Sequence, residues 1–422
     1  MGTNPGTDPG RDPGTDPSGP DRPAAPAERS PGLRPWRFVV WFGVVSLLAD
    51  FVYEGARSVT GPLLASLGAS ALVVGVVTGA GEAAALGLRL LSGPLADRTG
   101  RFWALTVAGY ALTVAAVPLL GVAGTLTAAC VLVVAERVGK AVRSPAKDTL
   151  LSHATAATGR GRGFAVHEAL DQFGAVIGPL TVAGVLAVTG GYGPALGVLA
   201  VPGVAALALL LWLRARVPEP ARYEPAATRP ADGEAGRRAR LPRAFWVYAA
   251  FTAATTTGFA TFGVVSFHLV HRHLVSASLV PVLYAAAMLA DAVVALATGW
   301  LYDRVGPRVL AVLPVLVAAM TALAFSGTRA AVVAGVLLWG AVMGVQESTL
   351  RATVADLVPT GHRATAYGVF AAVVGVATLA GGALTGTLYE VSVPALVATV
   401  ALVQAAALAL LVAVRPAGES TS

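Results

Sequence analysis

Acidic and basic residues recur at helical spacing inside stretches of this chain that are otherwise apolar. Asp50, Glu54 and Arg57 stand at i, i+4 and i+7, and Glu82 and Arg89 are seven apart. Glu136, Lys140 and Arg143 share another stripe, with Arg137 beside it. Glu168 and Asp171 are three apart, and His167 precedes Asp171 by one turn. Residues at such spacings share one face of a helix, so each set is expected to present its charges in one direction. A carboxyl group in a dry site keeps its proton, and a nearby cation drives the proton off. An acid moved between two such surroundings loads and unloads a proton. Asp50, Glu54, Glu82, Glu136, Glu168 and Asp171 are the candidates for that chemistry, with Arg89, Arg137, Lys140 and Arg143 as charge partners. The alternative is permanent pairing that only holds helices together, for instance Glu136 with Arg89 or Arg137.

The second half of the chain is drier. Asp291 stands alone in its apolar stretch and is the candidate for substrate contact. Glu347 and Arg351 form an i,i+4 pair that reads as structural. Phe259, Tyr284 and Trp339 either line an apolar wall or simply pack. "HLVHRH" brings together His268, His271 and His273, spacings that suit a transition metal. No carboxylate or cysteine lies adjacent, so no metal is assigned.

The elements that must carry these residues are long and greasy. Only 13% of residues are charged, about half the usual share of a soluble domain. Apolar runs come in lengths near those needed to cross about 30 Å of hydrocarbon as a helix. A charge at mid-depth there costs roughly 2.5–3.5 kcal/mol, so the stripes must face a cavity or one another. Twelve spans are expected, at 36–56, 70–92, 102–121, 124–143, 163–188, 193–214, 244–268, 278–301, 308–326, 330–350, 365–388 and 393–414. The domains are a disordered cytoplasmic tail at 1–35, a six-helix bundle at 36–214, a cytoplasmic linker at 215–243, a second six-helix bundle at 244–414 and a short tail at 415–422. The first 35 residues hold 9 of the 27 prolines and lack the apolar core of a signal peptide.

Lysine and arginine set the orientation. With both termini cytoplasmic, the outer loops carry only Arg57, Arg272 and Arg329 of the 30 basic residues, as the positive-inside rule requires. The net charge of +7 therefore anchors topology, and no nucleic acid is expected as a partner. Cys130 is the single cysteine, so no internal disulfide forms.

One polar turn is written twice. "GPLADRTGR" carries Gly93, Asp97, Arg98, Gly100 and Arg101, and "GWLYDRVGPR" carries Gly299, Asp303, Arg304 and Gly306. The copies follow spans two and eight, the same place in each half, so the chain reads as a duplicated six-helix unit. This six-plus-six plan with that turn resembles the major facilitator superfamily over about residues 36 to 414. The resemblance implies an all-α membrane fold of two pseudo-symmetric bundles that rock around a central cavity. It also implies that the turn is a cytoplasmic latch. Asp97 sits at the negative end of its helix, which disfavours a carboxylate. In the family its partners map to the backbone of Thr365 to Gly368 and to Arg143, and pseudo-symmetry sends Asp303 to the region of Gly163. Gly93 and Gly299 are expected to let helices approach closely, and Gly100 and Gly306 to suit the tight turn.

Two further motifs match. "RVGKAVR", from Arg137, resembles the family's span-four arginine motif, although Gly139 comes two residues after the arginine. "GAVIGP", with Gly174, Gly178 and Pro179, resembles the antiporter motif of proton-exchanging exporters, without its following pair of glycines. The string from "ERVGKAVRSPAKD" to "FGAVIGPL" resembles a bacterial branch of the superfamily and names no cargo.

The expected function is proton-coupled export of a small organic solute across the plasma (inner) membrane by a multi-pass monomer, with the lipid bilayer as its surroundings. The alternatives are a proton-coupled or facilitative importer of a metabolite, and a membrane sensor or enzyme. The chain shows no Gly-x-Ser-x-Gly, His-Glu-x-x-His or phosphate loop. No enzyme activity and no cofactor are therefore expected.

Overall fold

In the computed structural model the chain is described over residues 32–223, 241–359 and 362–413, together with Gly2. Most of the expected N-terminal tail, the middle of the linker (224–240) and the C-terminal tail lie outside the described residues. The described chain is helical: α1 (Pro35–Ser66), α2 (Ala71–Gly87), α3 (Arg89–Thr99), α4 (Phe102–Gly121), α5 (Leu126–Thr158), α6 (Arg160–Thr189), α7 (Tyr192–Gly197) and α8 (Ala200–Arg216) form the first half. The second half holds α9 (Arg243–Thr257), α10 (Phe262–His271), α11 (Val280–Val305), α12 (Val312–Ala324), α13 (Arg329–Leu357), α14 (Arg363–Val391) and α15 (Val393–Ala413).

Among the described residues, ten segments are long and apolar enough to span a membrane. The Val280–Ala324 segment contains both α11 and α12. α5 is long enough, but its charges keep it out of the ten, and those charges are the stripe on which the site is built. Reaching the expected twelve requires counting α11 and α12 separately and adding α5.

Two helices outrun the lengths expected from sequence. α1 continues to Ser66 instead of 56, and α5 to Thr158 instead of 143. Both contain an internal proline, Pro62 and Pro145, which reads in sequence as a stop. In a packed membrane bundle, neighbouring groups satisfy the backbone that proline frees. Arg57 is consequently not in an outer loop but inside α1. The linker expected at 215–243 also begins as ordered chain. Trp103 donates to the Pro218 carbonyl at 3.1 Å and the Tyr223 hydroxyl to the Leu33 carbonyl at 2.7 Å.

Spans are broken where the sequence is rich in small residues. Between α9 and α10 the chain unwinds over Gly258–Thr261. The buried Trp339 ring nitrogen donates to the Ala260 carbonyl at 3.0 Å, and Gln404 to the Thr255 carbonyl at 3.0 Å. These donors satisfy carbonyls that the break leaves without helical partners.

The two halves meet most closely at the end away from the termini, called outer here. Gly75 of α2 and Gly382 of α14 face each other so closely that a Cβ on either would fall on the other's carbonyl. A Cβ on Gly61 of α1 would likewise fall on the Gly263 carbonyl of α10, while one on Gly263 would meet the Thr78 side chain of α2. Three hydrogen bonds join the halves among the described residues: Leu72 N–H to Glu390 at 2.8 Å, Thr78 with Thr261 at 2.8 Å, and Tyr284 to Glu54. All three lie between the outer surface and mid-depth.

Candidate functional site

The charged stripes of α1, α2 and α5 converge. Arg57 holds Glu82 at 3.0 Å and stands 3.8 Å from Glu54. Arg137 also holds Glu82, at 3.2 Å, and its Nε reaches Glu136 at 3.2 Å. The Arg137 Nη1 that meets Glu82 also donates to the Tyr53 hydroxyl, and the guanidinium lies 4.5 Å from the centre of that ring. Lys140 covers the same ring at 4.0 Å. Glu82 thus receives two guanidinium groups and Glu136 one, which is the compensation that charges at this depth require. Glycine makes room for it: a Cβ at Gly81 would press on the Arg137 side chain at 2.8 Å. Beside the pairs, a cavity of about 20 Å³ is lined by Arg57, Thr78, Glu82, Arg137 and Thr261 among others. That is room for about one water molecule.

Tyr284 of α11 ties this network to the second half by donating its hydroxyl to Glu54. Phe262 lies edge-on against it at 4.5 Å, and Trp339 packs at 5.9 Å. Trp339 also stacks on Phe259 at 5.8 Å and faces Arg57 at 5.8 Å. Tyr284, Trp339 and Phe262 are buried. Tyr284 and Trp339 are therefore packing that fixes the Tyr284 hydroxyl, and Phe262 also lines the small cavity beside the ion pairs.

A second cluster lies nearer the end that carries the termini, between α1, α5 and α6. Lys147 stands 3.8 Å from Asp171, 3.2 Å from Ser46 and 3.2 Å from His167. His167 lies 3.1 Å from Ser46 and 3.6 Å from Asp171. Asp50 sits between the clusters, half-buried, and makes no hydrogen bond or ion pair among the described residues. Its strongest charged neighbours include Asp171, Lys140, Glu54 and Lys147.

Comparison with known proteins fixes the lineage. The Major Facilitator Superfamily profile matches residues 42–382 and 265–422. This chain belongs to the Major Facilitator Superfamily. A Mycobacterium tuberculosis (H37Rv) protein described as uncharacterized is 64% identical over 386 residues, covering 91% of this chain and 94% of its own. An uncharacterized MFS-type transporter of Methanocaldococcus jannaschii is 24% identical over 362 residues, covering 84% and 89%. Among solved structures, the nucleoside transporter NupG aligns with a TM-score of 0.67 at 13% identity, covering 91% and 100%. An inward-facing, unoccupied bacterial homolog of the human lysosomal transporter Spinster aligns with a TM-score of 0.63 at 15% identity, covering 90% and 95%. At such identities the likeness is one of fold. The chain is thus a multi-pass membrane protein of a transporter family.

Several superfamily expectations take a different form in this conformation. Asp97 and Asp303 are exposed and make no hydrogen bond or ion pair among the described residues. Arg143 does not reach Asp97; it donates to Thr113 at 2.9 Å and lies over the Tyr110 ring at 4.7 Å. Gly163 packs on Thr155 of its own half, not on Asp303. Gly100 and Gly306 adopt φ of 61° and 65°, the left-handed region that favours glycine. Gly93 and Gly299 are not forced to be glycine: a Cβ would come no nearer than 3.9 Å to Pro145 and 3.8 Å to Ser348. Arg98 and Arg101 are exposed, and Arg304 lies 3.4 Å over the Trp300 ring. Gly174 and Gly178 do pack directly on the α1 backbone, against the Leu47 and Phe51 carbonyls, and Pro179 follows inside α6.

The structure also places the remaining charged and histidine residues. Of the two partners open to Glu136, Arg89 and Arg137, it pairs with Arg137; the charges that act most strongly on Arg89 are Arg351 and Asp148. Glu347 and Arg351 form no ion pair among the described residues. Glu168 is exposed and stays out of the Lys147 cluster. His268 places its two ring nitrogens 3.1 Å from the Tyr389 hydroxyl and 3.0 Å from the Ser326 carbonyl, so neither is left for a metal. Sequence reasoning missed Lys147, Ser46 and the role of Tyr53. Ser46, Asp50, Tyr53, Glu54 and Arg57 form one continuous stripe, and Lys147 follows Lys140 and Arg143 on theirs, so the spacing held the signal.

Proposed function

We propose that this protein is a secondary active transporter that exports a small organic solute across the plasma membrane in exchange for protons. The observation that carries the reading is the Tyr284–Glu54 hydrogen bond, which joins a titratable acid of one half to the other half. Protonating Glu54 weakens it as an acceptor, since a charged acceptor makes the stronger bond, so proton binding is linked to the relative position of the halves. Glu82 and Glu136 are held by guanidinium groups and serve as the fixed frame. Glu54, only 3.8 Å from its cation, and the unpaired Asp50 are the groups that exchange protons. Exchange, rather than co-import, is supported by the close α1–α6 packing at Gly174 and Gly178, the motif that resembles antiporters.

Everted vesicles carrying an imposed proton gradient test this. Addition of a transported solute from a compound panel should dissipate the gradient, and Glu54→Gln should abolish dissipation while solute still equilibrates. Solute movement that leaves the gradient untouched in the unmodified protein would reduce the reading to a facilitator.

A further inference from the structure

Asp291 lies in the middle of α11 and is 3% exposed. Its Oδ1 has no hydrogen-bond partner among the described residues. Tyr284 precedes it by seven residues, on the same helix face, and reaches Glu54 of the first half. That face therefore looks into the seam between the halves. Gly344 of α13 packs on the Asp291 backbone carbonyl, and Glu347 follows three residues on, one turn along the same face. The strongest charges around Asp291 are Glu347, Glu54, Arg57 and Glu168.

Glu347 and Glu168 are solvent-exposed although both sit well inside spanning helices. The leading charges acting on Glu347 are Glu168 and Lys140, both in the first half. Glu347 therefore stands within electrostatic reach of the first half across the seam. None of Asp291, Glu347 and Glu168 forms an ion pair among the described residues. The nearby cations are committed elsewhere: Arg57 and Arg137 to Glu82, and Lys140 to the Tyr53 ring. Gln172, one turn beyond Glu168, adds an amide oxygen with no hydrogen-bond partner among the described residues. The seam is thus rich in acceptors and negative charge: of the donors near it, the Lys140 ammonium rests on a ring, and the Gln346 amide nitrogen has no hydrogen-bond partner among the described residues. A buried carboxyl left in that state is costly unless a cation arrives.

Resting on the transport reading above, we infer that the solute is an organic cation carrying a protonated amine or similar group, with Asp291 as its anchor and Glu347 and Glu168 lining its approach. A bare metal ion fits less well, because no three acidic, histidine or cysteine groups among the described residues converge closely enough to hold one. Carboxylates spread across a seam match a charge on an extended molecule.

The test is equilibrium binding to the full-length protein in detergent, read by fluorescence anisotropy with ethidium as cationic probe and fluorescein as anionic probe. Ethidium should bind saturably and be displaced by tetraphenylphosphonium, and fluorescein should not bind. Asp291→Asn should weaken ethidium at least tenfold, Asp291→Glu should restore most of it, and Glu219→Gln on the surface should change nothing. Glu347→Gln, at an exposed position with little bearing on folding, should weaken binding about threefold. Unchanged ethidium affinity in Asp291→Asn and Glu347→Gln, or equal binding of fluorescein, overturns the inference. Displacement of ethidium by sodium or magnesium at millimolar concentration, lost in Asp291→Asn, also overturns it in favour of an inorganic cation. The vesicle assay separates the two readings. Gradient-linked transport of anionic or neutral solutes alone defeats the cation assignment and leaves exchange standing. Tight ethidium binding with no gradient-linked transport of any solute defeats exchange and leaves the cation site.

Discussion

Arg137 is the residue on which the first-half network closes. One guanidinium serves Glu82, Glu136 and the Tyr53 hydroxyl at once, a use of its planar fork that lysine cannot reproduce. Arg137→Gln leaves Glu136 with no ion-pair partner and should destabilise the protein by about 3–5 kcal/mol, the usual cost of breaking a buried pair from one side. Arg137→Lys should recover only part of that. Thermal unfolding in detergent measures both, and the double variant Arg137→Gln/Glu136→Gln should be more stable than Arg137→Gln alone. If the single and double variants melt together, Glu136 does not depend on this pair. At this scale much was legible in sequence. The stripes Asp50–Glu54–Arg57 and Glu136–Lys140–Arg143 pointed to the helices that carry the network. Spacing along one helix could not say that Arg143 turns to Thr113 while Arg137 takes two acids. Partner choice depends on which helix lies opposite, and Tyr284 meeting Glu54 is a contact 230 residues apart in sequence.

At the scale of elements, the outer seam is a helix crossing built on glycine. Gly75 and Gly79 of α2 lie four apart, as do Gly382 and Gly386 of α14, and a Cβ at Gly386 would meet the Ala71 carbonyl at 2.6 Å. Small residues at this spacing let two backbones touch, and van der Waals contact then holds them in a solvent as apolar as themselves. Gly75→Leu puts a branched side chain onto the Gly382 carbonyl. Overpacking of this kind costs typically about 1–3 kcal/mol, and α2 and α14 should part at the outer end. A cysteine at Thr78, which bonds Thr261 across the seam at 2.8 Å, reports the opening in a Cys130→Ala background. Labelling by a membrane-impermeant maleimide on whole cells should rise several-fold when Gly75→Leu is added. Equal labelling with and without Gly75→Leu would show that the seam does not rest on this crossing. Helix existence was readable because long apolar runs carry a strong signal. Helix ends were not: Pro62 and Pro145 look like stops in a sequence, and only packing shows that α1 and α5 run through them. The cost of that misreading was Lys147, which sits beyond Pro145 on the stripe that continues from Lys140.

At the scale of the molecule, every hydrogen bond between the halves among the described residues lies at mid-depth or beyond it toward the outer end, while Asp97 and Asp303 stand exposed at the other end. With the termini cytoplasmic, as proposed, this is the arrangement of a transporter closed at its outer end and open at the end that carries the two repeated turns. α3 ends at Thr99 beneath a left-handed Gly100, so the Asp97 carboxylate lies at a helix C-terminus, where the backbone dipole repels it. When the halves close on the cytoplasmic side, the N-terminus of α14 is the nearest positive pole. Leu90 of α3 already lies within 2.7 Å of where a Cβ at Gly368 of α14 would stand. Exchanging a repulsive helix end for an attractive one supplies up to about 2 kcal/mol in a partly buried setting. A difference of 1.4 kcal/mol is tenfold in an equilibrium. Asp97→Asn should therefore lower the outward-facing population and the transport rate roughly five- to tenfold, with the amount of protein in the membrane unchanged. Spin labels on cysteines at Thr99 and Val305, the cytoplasmic ends of the two repeated turns, read the populations directly. The short-distance fraction should shrink in Asp97→Asn. An unaltered distance distribution together with undiminished transport would mean that the repeated turn only anchors the chain, and that closure on the cytoplasmic side is driven by something other than this carboxylate.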